Sequence, residues 1–208
     1  KTAYEISTRD WSSDVCSSDL SVPLSQVQLR APLPRPRRNV FCVGKNYYAH
    51  AKEFANSGFD SSAKAGGDIP AVPIIFSKVP ESVIATGEPI RMPGAEVSTA
   101  IDYEAELGVI IGKTGSDIPE DKAYDYIVGY ALAMDMVVRG KEDRSFRKSI
   151  DTYSVLGPWL VTKDEIPDPQ NLNFELKVNG ESRQKANTKD MIMYIKQQIS
   201  WGSTFYTL

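Results

Sequence analysis

The clearest pattern along the chain is a strict alternation over residues 101–111, where Tyr103, Ala105, Leu107, Val109 and Ile111 fall on one face and Asp102, Glu104 and Glu106 on the other. A period of two is the signature of a half-buried strand, because successive side chains of extended backbone point to opposite sides. A second strand is predicted over Ile127 to Val138, a nearly continuous apolar run interrupted by Asp135. Shorter apolar runs at 39–43 and 74–76 read as strands, the latter buried, and another strand is expected around Trp159 to Val161. Asn179-Gly180 between Phe174–Val178 and Glu181–Gln184 is a strong hairpin signal. Helices are predicted over about Tyr47 to Asn56, with Asn46 as N-cap, over a short stretch opened by Pro119, and over about Asp190 to Ser200. The elements lack a regular βαβ rhythm, which favours an α+β fold.

Residues before this pattern behave differently. WSSDVCSSDL, within the first twenty residues, repeats a small polar motif without either periodicity and reads as a segment foreign to the fold or as a polar arm. Residues 22–38, ending in a proline- and arginine-rich stretch, form a linker or N-terminal extension.

With 208 residues, 41% of them hydrophobic and 25% charged, the chain can build one sizeable core. A net charge of -3 supplies no global positive field for a phosphate backbone, so nucleic acid is not an expected partner. No apolar run approaches the roughly 20 residues that cross a bilayer and no signal peptide is visible, so a cytoplasmic location with no membrane partner is expected. The two cysteines, Cys16 and Cys42, have no paired spacing, so a bound metal would draw mainly on oxygen ligands.

Glu104 and Glu106 lie about 6.6 Å apart along one strand face. Two readings fit: a solvent-facing polar side, or a pair of carboxylates gathered by a cation. Asp135 weighs toward the second, because an ionised carboxylate within an apolar strand costs several kcal/mol to bury unpaired. Its partner is a metal ion, or Arg139 or another basic side chain. Three carboxylates with room left for water or substrate suit Mg²⁺ or Mn²⁺ better than Zn²⁺. His50, the only histidine, stands three residues before Glu53 on the predicted helix, as a general-base dyad or as an ordinary exposed pair. Arg139, Lys141, Arg144, Arg147 and Lys148 concentrate positive charge in one loop, fit either to bind a carboxylate substrate or simply to be solvated.

Taken in order, GKNYYAHAKEF, IDYEAELGVIIGK, GYALAMDMVVR and FRKSIDTYSVLGPWLVTKDEIPDPQNL resemble the fumarylacetoacetate hydrolase family over residues 39–208. The resemblance implies a mixed β-sandwich roll, usually a homodimer, binding one Mg²⁺ or Mn²⁺ through Glu104, Glu106 and Asp135. It further implies a His50–Glu53 dyad, a catalytic Lys148, and substrate-facing Arg139 and Lys78. The expected activity is hydrolysis or isomerisation of a small 2-oxo or β-diketo acid through an enolate. Family members continue past the equivalent of Leu208 into a further glycine- and threonine-containing segment, so the resemblance implies a catalytic domain incomplete at its C-terminus. A catalytically incompetent fragment, or a carboxylate-binding module of the same fold, is the alternative expectation.

Overall fold

The computed structural model describes residues 22–49, 51, 69–96 and 100–208. His50, Glu53, most of the helix predicted over 47–56 and the segment 1–21 lie outside the described residues.

The two long strands form where the hydrophobic pattern places them: β4 spans Ile101–Ile111 and β5 spans Ile127–Val138. They pair antiparallel, with Glu104 opposite Asp135 and Glu106 opposite Ala133. Directly opposed residues share a face, so this register sets Asp102, Glu104, Glu106 and Asp135 on one side of the pair. On the other edge of β5 lies β6 (Ser154–Leu156), followed by β3 (Val83–Ala85) parallel to it, while the short β7 (Val161–Thr162) also pairs with β5. Two further antiparallel pairs stand apart from this sheet: β1 (Val40–Gly44) with β2 (Ile74–Lys78), and β8 (Asn173–Val178) with β9 (Glu181–Asn187). The second turns on Asn179 and Gly180, both at positive φ (52° and 85°), the backbone that an Asn-Gly hairpin turn requires. With mixed sheets and, among the fully described elements, the short α-helices α1 (Arg144–Lys148) and α2 (Ile195–Ser203), the architecture is α+β.

The core divides along the sheet. Ile127 and Tyr130 pack with Ile118, Ala123, Met191, Ile195 and Ile199, closed by Leu107, Val109 and Ile111 from the apolar face of β4. Met136, Val138 and Tyr153 form a second cluster with Ile101, Tyr103 and Met134.

Several local expectations are corrected by long-range contacts. Helix α2 starts at Ile195 instead of Asp190, which ends a separate 3-10 turn (Thr188–Asp190), because the residues between are held by distant backbone: Tyr47 bridges to Met191, and the backbone N–H groups of Ile192 and Met193 donate to the Asn46 backbone and side-chain oxygens. Asn46 is therefore not a helix N-cap; its side chain is committed to Met193, and the Ala51 N–H donates to the Tyr47 carbonyl. Residues 74–76 are half-buried, and their strand runs on to a fully buried Lys78. Trp159 stands exposed outside the sheet, and only Val161–Thr162 pair. The basic segment after β5 is a solvated loop only in part: Lys141 is exposed, but residues 144–148 fold into α1, with Arg147 and Lys148 buried.

Candidate active site

Three elements converge on the carboxylate face of β4 and β5. From β2 comes Lys78, 2% exposed, whose ammonium donates to Asp135 Oδ1 at 2.5 Å and to the Tyr153 carbonyl at 2.6 Å. From α1 comes Lys148, whose ammonium lies between Glu104 Oε2 at 2.5 Å and Asp135 Oδ2 at 2.6 Å, over the ring of Phe76. Just beyond the end of β5, Arg139 donates to Asp102 Oδ2 at 2.6 Å and to Glu104 Oε1 at 2.9 Å. Lys78, Asp135, Lys148, Glu104, Arg139 and Asp102 thus form a ladder of alternating sign.

Local structure explains how the lysines arrive there. Asp143 caps α1 by accepting from the Ser145 N–H at 2.8 Å. Arg147 then fastens the helix by donating to the Glu142 and Val138 carbonyls at 2.8 and 3.0 Å. The hydroxyls of Ser145 and Ser149 accept from the Ser77 and Val79 N–H groups, tying α1 to the end of β2. Both lysines are therefore carried by anchored backbone.

The ladder also corrects the pairing of Asp135 with Arg139. Four residues along an extended strand is about 13 Å, too far for that contact, so Arg139 reaches across to Asp102 and Glu104 while Asp135 takes two lysines. Asp102, which extends the polar face in sequence, is thereby an ion-pair partner.

Burial works against the Lys148 charge, but Asp135 and Glu104 together hold its pKa above the ordinary lysine value. For Lys78 burial prevails over Asp135 and the pKa falls below that value. Glu106 is the exception to the balance. Three acidic groups of the ladder are matched by three basic ones, and among the described residues no ion pair closes on Glu106. Burial, then Glu104 and Asp135, push its pKa up to about 8 against the pull of Lys148. As they stand, no three His, Cys, Asp or Glu side chains among the described residues converge closely enough to hold a metal ion. Glu104 and Asp135 converge on one cation, the Lys148 ammonium, with Glu106 beside them as a surplus carboxylate.

Cys42, on β1, went unassigned from sequence. Burial, then Asp135, raise its thiol pKa to about 12, and Lys78, Lys148 and Glu106 also act on it electrostatically. Nothing in its spacing signals this, since it meets the site only through the β1–β2 pairing that sets Cys42 opposite Phe76. The thiolate is the reactive form, so in a Cys16→Ser background Cys42 should react with a disulfide reagent at pH 8 only after unfolding. Rapid labelling of the folded protein would contradict the raised thiol pKa. An open cleft of about 490 Å³ lined by Arg38, Phe41, Phe76, Ser77 and Tyr206, among others, includes none of the ladder.

Residues 39–208 match the model of the fumarylacetoacetate (FAA) hydrolase C-terminal family, and the chain belongs to that family. Its relatives are hydrolases and isomerases. It is 39% identical over 186 residues to maleylpyruvate hydrolase of Aquipseudomonas alcaligenes, covering 89% of this chain and 64% of that protein. It is likewise 39% identical over 189 residues to the oxaloacetate tautomerase YisK of Bacillus subtilis, covering 89% and 60%. Among solved structures, maleylpyruvate hydrolase from Sphingobium sp. SYK-6, in complex with manganese(II) and pyruvate, matches with a TM-score of 0.74 and 34% identity over 90% of this chain and 61% of that one. A 5-carboxymethyl-2-hydroxymuconate delta-isomerase from Mycobacterium smegmatis matches with a TM-score of 0.74 at 32% identity over 90% and 69%. The chain thus has the fold of this family and spans somewhat less than two thirds of the length of the curated relatives named.

Proposed function

We propose that residues 39–208 form the metal-binding catalytic part of a hydrolase or isomerase acting on 2-oxo or β-diketo acids. The observation that carries this reading is the surplus carboxylate: Glu106 stands half-buried on the same strand face as Glu104 and Asp135, and among the described residues no ion pair closes on it. Hard divalent cations satisfy such clustered oxygen donors. By its chemistry, carboxylate oxygen throughout, the donor set suits Mg²⁺ or Mn²⁺, with Glu104, Glu106 and Asp135 as the proposed protein ligands, which must draw closer than they stand here to share one ion. The manganese and pyruvate described for the Sphingobium relative support the same chemistry, pyruvate being a 2-oxo acid.

When bound, the divalent cation supplies Lewis-acid polarisation of the substrate's oxo group. The remaining work falls to the chain. Arg139, with a planar fork of donors, binds and orients a carboxylate. Lys148 already places its charge between two of the three proposed ligands, where it can hold negative charge developing on an oxygen. Lys78, anchored on Asp135, keeps that carboxylate oriented. In this reading His50 takes a proton from water or substrate and Glu53 fixes its tautomer, roles that rest on the family resemblance.

Calorimetric titration of Mn²⁺, with and without oxalate as an enolate mimic, tests the proposal. The unaltered chain should bind Mn²⁺, at least about tenfold more tightly with oxalate, and Glu104→Ala should abolish both effects. A folded chain that binds no Mn²⁺ sinks the reading.

A further inference from the structure

The carboxylate face depends on the register of β4, and among the described strands β4 lies at an edge, paired only with β5. Alternate residues of an antiparallel strand direct their N–H and C=O to opposite sides. Ala105, between the two glutamates, directs its pair away from β5. Gln184 meets both groups: the Ala105 N–H donates to Gln184 Oε1 at 2.7 Å, and Gln184 Nε2 donates to the Ala105 carbonyl at 2.8 Å. A single side-chain amide thus supplies the rung that a neighbouring strand would provide. Gln184 is half-buried, whereas Glu181, Ser182, Arg183 and Lys185 around it on β9 are exposed.

We infer that Gln184 is a positioning residue, holding the Glu104–Ala105–Glu106 segment so that both carboxylates face the proposed cation site. A slip of one residue would turn Ala105 and Leu107 to that face, and edge strands readily bulge. β4 already shows an irregularity between Ile110 and Ile111, where no such side-chain rung is present among the described contacts. The two bonds to Ala105 oppose the same change between the ligands. This inference rests on reading Glu104 and Glu106 as cation ligands, and it also predicts a backbone effect that needs no metal.

Gln184→Met preserves length and apolar volume while removing both hydrogen bonds. In the metal-free chain it should speed hydrogen exchange of the Ala105 amide at least about tenfold. It should weaken Mn²⁺ binding, followed by the free-ion electron spin resonance signal, by about 10- to 100-fold, with the unfolding midpoint in urea little changed. Arg183→Met, an exposed neighbour on the same strand, should alter neither readout. Unchanged Ala105 exchange overturns the inference, and so does faster exchange with unaltered Mn²⁺ affinity, which would make Gln184 an edge cover only. Failure of the unaltered chain to bind Mn²⁺ overturns the metal reading and the positioning role with it, a result recognised before any variant is made. Should Gln184→Met not fold, Gln184→Glu, which keeps the acceptor for the Ala105 N–H and sets an oxygen against its carbonyl, is judged by the same two readouts.

Discussion

Asp135→Ala should lower the unfolding free energy by about 3–5 kcal/mol, the range for removing one partner of a buried ion pair. Asp135 is 8% exposed and accepts from both Lys78 and Lys148, themselves 2% and 5% exposed. Among the described residues, its loss leaves Lys78 with only backbone carbonyls as partners, at Tyr153 and Met136, while Lys148 retains Glu104. The penalty therefore comes chiefly from one stranded ammonium. Replacing it as well, in Asp135→Ala with Lys78→Met, should recover part of the lost stability, because an apolar side chain there has no charge to desolvate. Urea unfolding of the three proteins makes the comparison, and a double variant no more stable than Asp135→Ala would show that packing, not charge, sets the cost.

Glu106→Gln should separate stability from metal binding. In the metal-free chain, burial and then Glu104 and Asp135 raise the Glu106 pKa from 4.5 to about 8. The folded state then holds this proton more tightly than the unfolded state, so ionising the group disfavours folding as pH rises from about 4.5 through about 8. The amide that replaces the carboxyl group carries no charge at any pH. The variant should match the unaltered chain below pH 4.5 and exceed its stability progressively up to about pH 8, with the difference level beyond that. The same substitution removes an anionic ligand from the proposed cation site and should abolish Mn²⁺ binding, and turnover with it. In the unaltered chain Mn²⁺ must displace the Glu106 proton, so its affinity should rise with pH toward 8. Urea midpoints and Mn²⁺ titrations across pH 5 to 9 read both effects, and a stability difference independent of pH would contradict the raised pKa of Glu106.

How far the pattern of residues carries differs from element to element. The bounds of β4 and β5 are those of the hydrophobic pattern, Ile101–Ile111 and Ile127–Val138, because alternation over many residues leaves one orientation that buries the apolar face. The β8–β9 hairpin follows as directly, since Asn179 and Gly180 accept the positive φ of its turn. The start of α2 was not legible: Met191 to Met193 are held by Tyr47 and Asn46, contacts spanning well over a hundred residues that have no local signature. For the same reason the basic segment read as a loop. Its folding into α1 depends on Arg147 reaching the Val138 carbonyl and on two serines bonding to the end of β2.

Sequence alone, through local periodicity and turn chemistry, determined an α+β fold, its longest strands and a set of charged residues on one strand face. The order of motifs also pointed to the family. Only the tertiary structure decided which charges meet: Asp135 with Lys78 and Lys148 instead of Arg139, Arg139 with Asp102 and Glu104, Glu106 outside every ion pair among the described residues, and Gln184 closed on the backbone between the glutamates. Pairing of charges across a sheet depends on strand register and on the docking of distant segments, and neither distance nor direction between such segments is encoded in the spacing of residues along the chain.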